Sequence, residues 1–272
     1  MHIRSHAEVA VLEKAGYFAV PGAHLYTVLH QVPDPVARVL LVGAFASERH
    51  FSYLPWVRWA RYLAARRIEV IRYDYRGVGE STGVFEQMSF NNWSEDIHLL
   101  ANWFSGRSTG VPFLLHGLEV GAILAARSFH EGTGDALLLW SPPVNANLAL
   151  RSSLLHWAGL GQLSEPPENR RTASEYIQQL EQGSLIEVQG YQWSSRLWLD
   201  SFHFDLPDDL DCINSSSPSH KKPVKIVKLG KEASPLVKPH FGNDEAKDFG
   251  WLYSTQYDWV VDALVLPDKR EQ

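Results

Sequence analysis

The stretch 112-PFLLHGLEVGAILAAR-127 decides the fold. Pro112–His116 read as an apolar strand, Gly117 and Gly121 frame a turn, and Ala122, Ala125 and Ala126 give the following helix a face small enough to lie close against the strand. A sharp strand-to-helix turn needs small residues two before and two after its central position, because the backbone packs on itself there. A serine is the residue expected at that centre. Glu119 occupies it.

Outward from this unit, the same alternation continues. The runs 38-RVLLVGAF-45, 69-EVIRYDY-75 and 136-ALLLWSP-142 are apolar and too short for helices, as suits strands buried on both faces. Between them, 55-PWVRWARYLAARR-67 and Asn92–Phe104 have helical spacing, with Trp56, Trp59, Leu63 and Ala64 able to share one face of the first and Trp93, Ile97, Leu100 and Trp103 of the second turned toward the sheet. Strands alternating with amphipathic helices predict an α/β, doubly wound, mostly parallel sheet. Its strands are expected over Arg38–Gly43, Glu69–Tyr73, Pro112–His116, Ala136–Trp140 and Val224–Leu229. Two β-like runs, Tyr17–Val20 and His24–Val32, precede them around a Pro21-Gly22 turn.

The rhythm breaks after Pro143. Asn145–Leu206 is helical and amphipathic without a convincing buried strand, so a helical cap is expected there, above the carboxyl ends of the strands where open α/β sheets form their crevice. The division that follows is a core of residues 1–144 and 221–272, with cap and linker over 145–220. The polar run 214-NSSSPSHKKP-223 and most of 231–250 read as loops, and a last helix is expected near Thr255–Leu266.

Composition limits the function. The formal net charge is −6, without long blocks of like charge, which argues against nucleic acid or an anionic membrane as partner. The single cysteine, Cys212, excludes an internal disulfide and a thiolate-rich zinc site. No His/Cys/Asp/Glu set has metal-ligand spacing, and the glycine-rich 77-GVGESTG-83 lacks the lysine of a phosphate loop, so neither metal nor cofactor is expected. With no apolar leader and no run long enough to span a bilayer, the expectation is a soluble, cytoplasmic protein. A small-molecule ligand, a protein partner and a homo-oligomer are all compatible with these features.

Three stretches in order, 39-VLLVGAF-45, 74-DYRGVGESTG-83 and 115-LHGLEVGA-122, resemble the α/β-hydrolase family, in particular its serine-aminopeptidase-like and acyl-esterase-like branches. The resemblance covers the first 145 residues well and the C-terminal third loosely. It implies that the backbone N–H groups of Phe45 and Val120 form an oxyanion hole. It also implies an acid after 224-VKIVKLG-230, for which Glu232 is the nearest candidate, and a histidine before the final helix, for which His240 lies in the right neighbourhood. Asp74 and Arg76 would fix their turn by local hydrogen bonds. His50, beyond the oxyanion strand, and His116, beside the elbow, would line the pocket, although core packing is the alternative for His116. Trp157, Trp193 and Trp198 would form the crevice wall.

Glu119 departs from the family's serine, and from the aspartate of its dehalogenase and epoxide-hydrolase relatives. A carboxylate can attack carbon, but glutamate is one methylene longer than aspartate, and near-attack geometry tolerates such displacement poorly. Its carboxylate could also fold back onto the oxyanion amides at the helix N-terminus and inhibit the site. Three functions therefore stand side by side: a pseudo-hydrolase that binds a small molecule or partner, a hydrolase using Glu119 as nucleophile or general base, and a structural subunit docking through a tryptophan-rich cap.

Overall fold

The computed structural model describes residues 10–210, 222–229 and 249–264. Its strands are β1 (Leu12–Val20), β2 (Ala23–Gln31), β3 (Ala37–Val42), β4 (Ile68–Tyr73), β5 (Phe113–Leu118), β6 (Ala136–Trp140), a short pair β7 (Ile186–Val188) and β8 (Tyr191–Trp193), and β9 (Val224–Val227). Its helices are α1 (Arg49–Ala64), α2 (Phe90–Ser105), α3 (Val120–His130), α4 (Ala146–Ser164), α5 (Ala173–Glu181), α6 (Ser195–Asp200) and α7 (Gly250–Ala263).

The central sheet has the order β1-β2-β4-β3-β5-β6-β9. Pairing is antiparallel from β1 through β2 to β4 and parallel from β4 to β9. This is the mostly parallel α/β sheet expected from the alternation of strand and helix, in the α/β-hydrolase form that the resemblance implied. All six residues of β3 and of β5 are buried, which is why these strands read as continuous apolar runs rather than alternating ones. One face of the sheet packs Trp56, Trp59, Leu63, Tyr253 and Val260 from α1 and α7. The other packs Trp93, Ile97 and Leu100 of α2 and the small face of α3, and its core continues into Leu150 and Leu154 of α4 and Trp193 of β8.

Helix α2 begins where Ser89, in extended backbone, accepts the Asn92 N–H on its side chain. Helix α1 starts at Arg49, ahead of the expected Pro55, which lies inside it. Trp103, expected toward the sheet, is 42% exposed. It sits beside Phe18 on the outer strand β1, with ring centroids 5.3 Å apart. The turn after β4 is held more widely than expected. Asp74 accepts the Glu80 N–H locally, but it also pairs with Arg49 at 2.6 Å. Arg76 reaches across to Asp96 on α2, and its carbonyl accepts Trp93 Nε1–H at 3.0 Å.

The segment after Pro143 is not wholly helical. Strands β7 and β8 pair as a hairpin through Gln189 and Gly190, whose φ values of 51° and 84° are those of a two-residue turn matched to strand twist. Three-residue strands are too short for alternation to be read from sequence. Among the described residues no helix is long and apolar enough to cross a membrane.

Candidate functional site

Glu119 stands between β5 and α3 with φ 52° and ψ −127°. A non-glycine residue held there stores strain of about 1–3 kcal/mol. The framing glycines enforce it. A Cβ on Gly117 would lie 2.4 Å from the Ala122 Cα, and one on Gly121 would lie 2.1 Å from the Gly43 carbonyl oxygen. The turn is tied to the sheet by the Glu119 N–H, which donates to the Trp140 carbonyl at 2.9 Å. The strain predicts that Glu119→Gly raises stability by about 1 kcal/mol, net of the entropy glycine adds to the unfolded chain, whereas Glu119→Ser leaves it nearly unchanged. Urea midpoints at unchanged slope measure both, and a glycine variant no more stable than wild type would show that the turn is unstrained.

Beside Glu119 lie the two amides that an oxyanion site would use. Phe45 follows β3 and Val120 opens α3, and the two residues are 3% and 5% exposed. Among the described residues neither N–H has a hydrogen-bond acceptor, and the Glu119 side chain makes no capping bond to α3. The expectation that this carboxylate folds back onto the amides is therefore corrected: no such bond forms, and the donors are left for another acceptor. Tyr75 braces the same corner. Its hydroxyl donates to the Gly43 carbonyl at 2.8 Å, and burial pushes its pKa well above the ordinary phenol range, so it stays neutral.

The Phe45 ring is a hub. It meets Trp93 at 5.3 Å and Trp193 at 5.9 Å, with Phe85 and Phe90 each at 6.1 Å. Trp193 thus joins the β7–β8 hairpin to the loop after β3, at the carboxyl end of the sheet. Tyr191 of the same hairpin meets Phe85 at 4.8 Å. Trp198 is completely buried, with Arg151 5.0 Å from its ring and Phe202 at 5.9 Å, so it holds the segment together and does not form a wall. Trp157 is half-buried against the main core.

His116 is also placed away from the crevice. It points to the opposite face of β5, with the rings of Trp140, Trp56 and Trp59 at 4.6, 4.9 and 6.2 Å. A strand alternates its faces, so the residue before Gly117 cannot share that glycine's side. Its Nδ1 lies 2.9 Å from the Leu138 carbonyl and therefore carries the proton, and burial pushes its pKa down to about 3. His50 is exposed in the first turn of α1. Glu232 and His240 lie outside the described residues. Ser141 is engaged structurally: its Oγ accepts the Leu229 N–H at 3.0 Å.

Glu48 escaped the sequence reading. It follows Phe45 by three residues, its Oε2 is buried without a partner, and Ser153 of α4 donates to its other oxygen. Burial raises this carboxyl above its ordinary range, despite the Ser153 bond that opposes the shift. The only signal in the sequence was an acid close behind the apolar end of β3. Ser153, its partner, lies 105 residues away. Among the described residues no group of three or more His, Cys, Asp or Glu could hold a metal ion.

With this geometry in view, comparison with known proteins is informative. Residues 25–172 match the family model described as serine aminopeptidase, S33. The chain belongs to this family. The match spans the sheet from β2 through β6, the Glu119 elbow and α4. No curated protein matches the chain. Among solved structures, Est1E from Butyrivibrio proteoclasticus with ferulic acid bound is 14% identical, with a TM-score of 0.60 over 92% of this chain and 100% of that one. The α/β hydrolase GrgF from Penicillium sp. sh18 is 16% identical, with a TM-score of 0.59 over 94% and 100%. A soluble variant of the monoglyceride lipase from Saccharomyces cerevisiae, in complex with a substrate analogue, is 13% identical with a TM-score of 0.57 over 96% and 97%. At such identities the likeness establishes the shared fold and not a shared activity.

Proposed function

We propose that this member of the family is a pseudo-hydrolase, binding a small neutral carbonyl compound at the elbow without serine chemistry. One observation carries the reading: two buried backbone N–H groups, on Phe45 and Val120, lack an acceptor beside a residue that is a carboxylate and not a hydroxyl. Amides so placed accept a carbonyl oxygen with little reorganisation. A neutral ligand suits them better than an anion, because the Glu119 carboxylate on the same turn would repel like charge. The segment from Asn145 to Leu206 acts as its cap, and the protein works in the cytoplasm. The docking-subunit alternative gains nothing from two of the three tryptophans invoked for it, since Trp193 and Trp198 are 1% and 0% exposed, and only Trp157 is partly exposed.

The purified protein should not react with fluorophosphonate probes and should not turn over p-nitrophenyl acetate. A label mapped to any serine would overturn the proposal. Glu119→Ser should fold normally, because Gly117 and Gly121 set the turn, and should gain no robust esterase activity without a working base and acid. Robust turnover would make His240 and Glu232 the leading pair and end the pseudo-hydrolase reading.

The strained backbone of Glu119 favours a second reading, since strain is characteristically retained where a side chain must be presented. In it, a Glu119 oxygen attacks the acyl carbon of the substrate, the leaving group departs with the electron pair of the broken bond, and water hydrolyses the resulting acyl–glutamate anhydride. Intact-mass spectrometry during exposure to activated esters distinguishes the two. An adduct mapped to Glu119 supports attack, and an unmodified protein supports binding alone.

A further inference from the structure

A cavity lies behind the loop that carries Phe45. It has a volume of about 30 Å³, between α1 and the carboxyl end of β4, with the Gly43–Ala44 backbone along one side. Arg49, Ser52, Tyr53 and Trp56 line it from α1, and Arg72 and Asp74 line it from the sheet. A water-sized group needs about 10–15 Å³ by this measure, so the cavity admits one or two.

Its charges do not balance. Arg49 and Asp74 neutralise each other at 2.6 Å, and the second Asp74 oxygen accepts the Glu80 N–H at 3.0 Å. Arg72 has no such counterpart: among the described residues no carboxylate lies within salt-bridge distance of it. Its Nε donates to His30 Nε2 at 3.3 Å, and its Nη1 makes a long contact of 3.4 Å with the Tyr53 hydroxyl. His30 offers no negative charge. It is fully buried, and its pKa is pushed down to about 4 by burial, with Arg72 adding to the effect against the opposing pull of Glu13. The Glu13 carboxylate beyond it is taken by Arg61 through both oxygens, at 2.5 and 3.1 Å. The half-buried Arg72 guanidinium, 5.4 Å from the Tyr53 ring centre, is therefore left without a carboxylate ion-pair partner among the described residues.

The second observation is independent of charge. Trp56 is 7% exposed, and its Nε1–H is buried without an acceptor. A buried donor left unpaired costs about 1–3 kcal/mol, and such a group in a native structure calls for a partner. Trp56 and Arg72 line the same cavity from opposite sides, the helix and the strand. Their chemistry is that of a site for a compact acceptor bearing one negative charge.

We propose that this cavity binds one small monovalent anion, of the size of chloride or formate, held between the Arg72 guanidinium and Trp56 Nε1–H. The site is separate from the Glu119 elbow and does not depend on the function assigned there. Charge-assisted hydrogen bonds to the guanidinium supply most of the binding, and Trp56 fixes the anion's position. Because Gly43 and Ala44 lie between the two sites, the bound anion fills the space behind the loop that presents the Phe45 amide.

The test is an indole ¹H–¹⁵N titration of the full chain with sodium formate and, separately, sodium chloride. Ionic strength is held constant with sodium sulfate, whose anion exceeds the cavity. The Trp56 resonance, assigned through Trp56→Phe, should shift saturably with at least one of the two anions. Those of Trp59 and Trp140, which also lack acceptors but do not line the cavity, should stay in place. Arg72→Gln should weaken the response at least about tenfold, and the anion-dependent rise in Tm should vanish with it. No saturable Trp56 shift with either anion up to about 100 mM would overturn the proposal, since such affinity lies below any useful site. An unchanged titration in Arg72→Gln would overturn it equally. If Arg72→Gln fails to fold, the wild-type titration decides alone.

Discussion

Gly121→Ala is expected to lower stability by about 3 kcal/mol or more, although alanine is the better helix former by about 1 kcal/mol. The added methyl would sit 2.1 Å from the Gly43 carbonyl oxygen, 2.6 Å from that of Val42 and 2.8 Å from the Tyr75 hydroxyl. Two of these are backbone atoms at the end of β3, a fully buried strand that cannot yield locally. Helix α3 would have to retreat, losing the bond by which the Tyr75 hydroxyl braces Gly43 and moving the Val120 amide with it. Gly159→Ala in α4 is the control, because a Cβ there meets nothing within 4 Å. It should stabilise the protein by about 1 kcal/mol. Urea denaturation of both variants measures the contrast in sign. A tolerated alanine at residue 121 would mean that α3 does not pack as closely on β3 as this geometry requires.

The same residues explain why the fold was legible in the sequence. Strands buried on both faces must be short and apolar, and a helix whose first turn leaves no room for a Cβ against the neighbouring strand must begin with glycine and alanine. Both constraints act on neighbouring residues, so 112-PFLLHGLEVGAILAAR-127 displays them directly. The hairpin of β7 and β8 was not legible, because its three-residue strands are fixed by what they cover. Trp193 reaches Phe45, a contact between residues far apart in the chain. The candidate site divides in the same way. Glu119, Phe45 and Val120 follow from the elbow pattern, whereas Glu48 depends on Ser153 from a distant helix. His116 lay within the pattern, yet its position one residue before Gly117 sends it to the other face of the strand, where three indole rings enclose it.

That enclosure should make His116 a principal source of acid lability. A histidine whose folded pKa is pushed down to about 3 by burial remains neutral in the native state, while in the unfolded chain it takes up a proton near pH 6.5. The unfolded state then binds more protons throughout that window, so stability is fully present above about pH 6.5 and falls as the pH drops toward 3. For one fully protonated histidine the slope is about 1.4 kcal/mol per pH unit, and His30, whose pKa is pushed down to about 4, adds a second term of the same sign. The physical origin is specific: Nδ1 already donates to Leu138, and a proton added to Nε2 would find no acceptor at that buried nitrogen. Replacing His116 by phenylalanine removes one titrating group while keeping an aromatic ring among the indoles. The variant has its own stability offset from the altered packing, but between pH 6 and 4 its stability should fall less steeply than wild type, approaching a difference of about 1.4 kcal/mol per pH unit at the acid end. Denaturant titrations at a series of pH values read this slope separately from the offset, and carboxylates titrating in both proteins cancel in the difference. Parallel profiles would mean that His116 is protonated in the native state and that the indole cage does not hold it neutral.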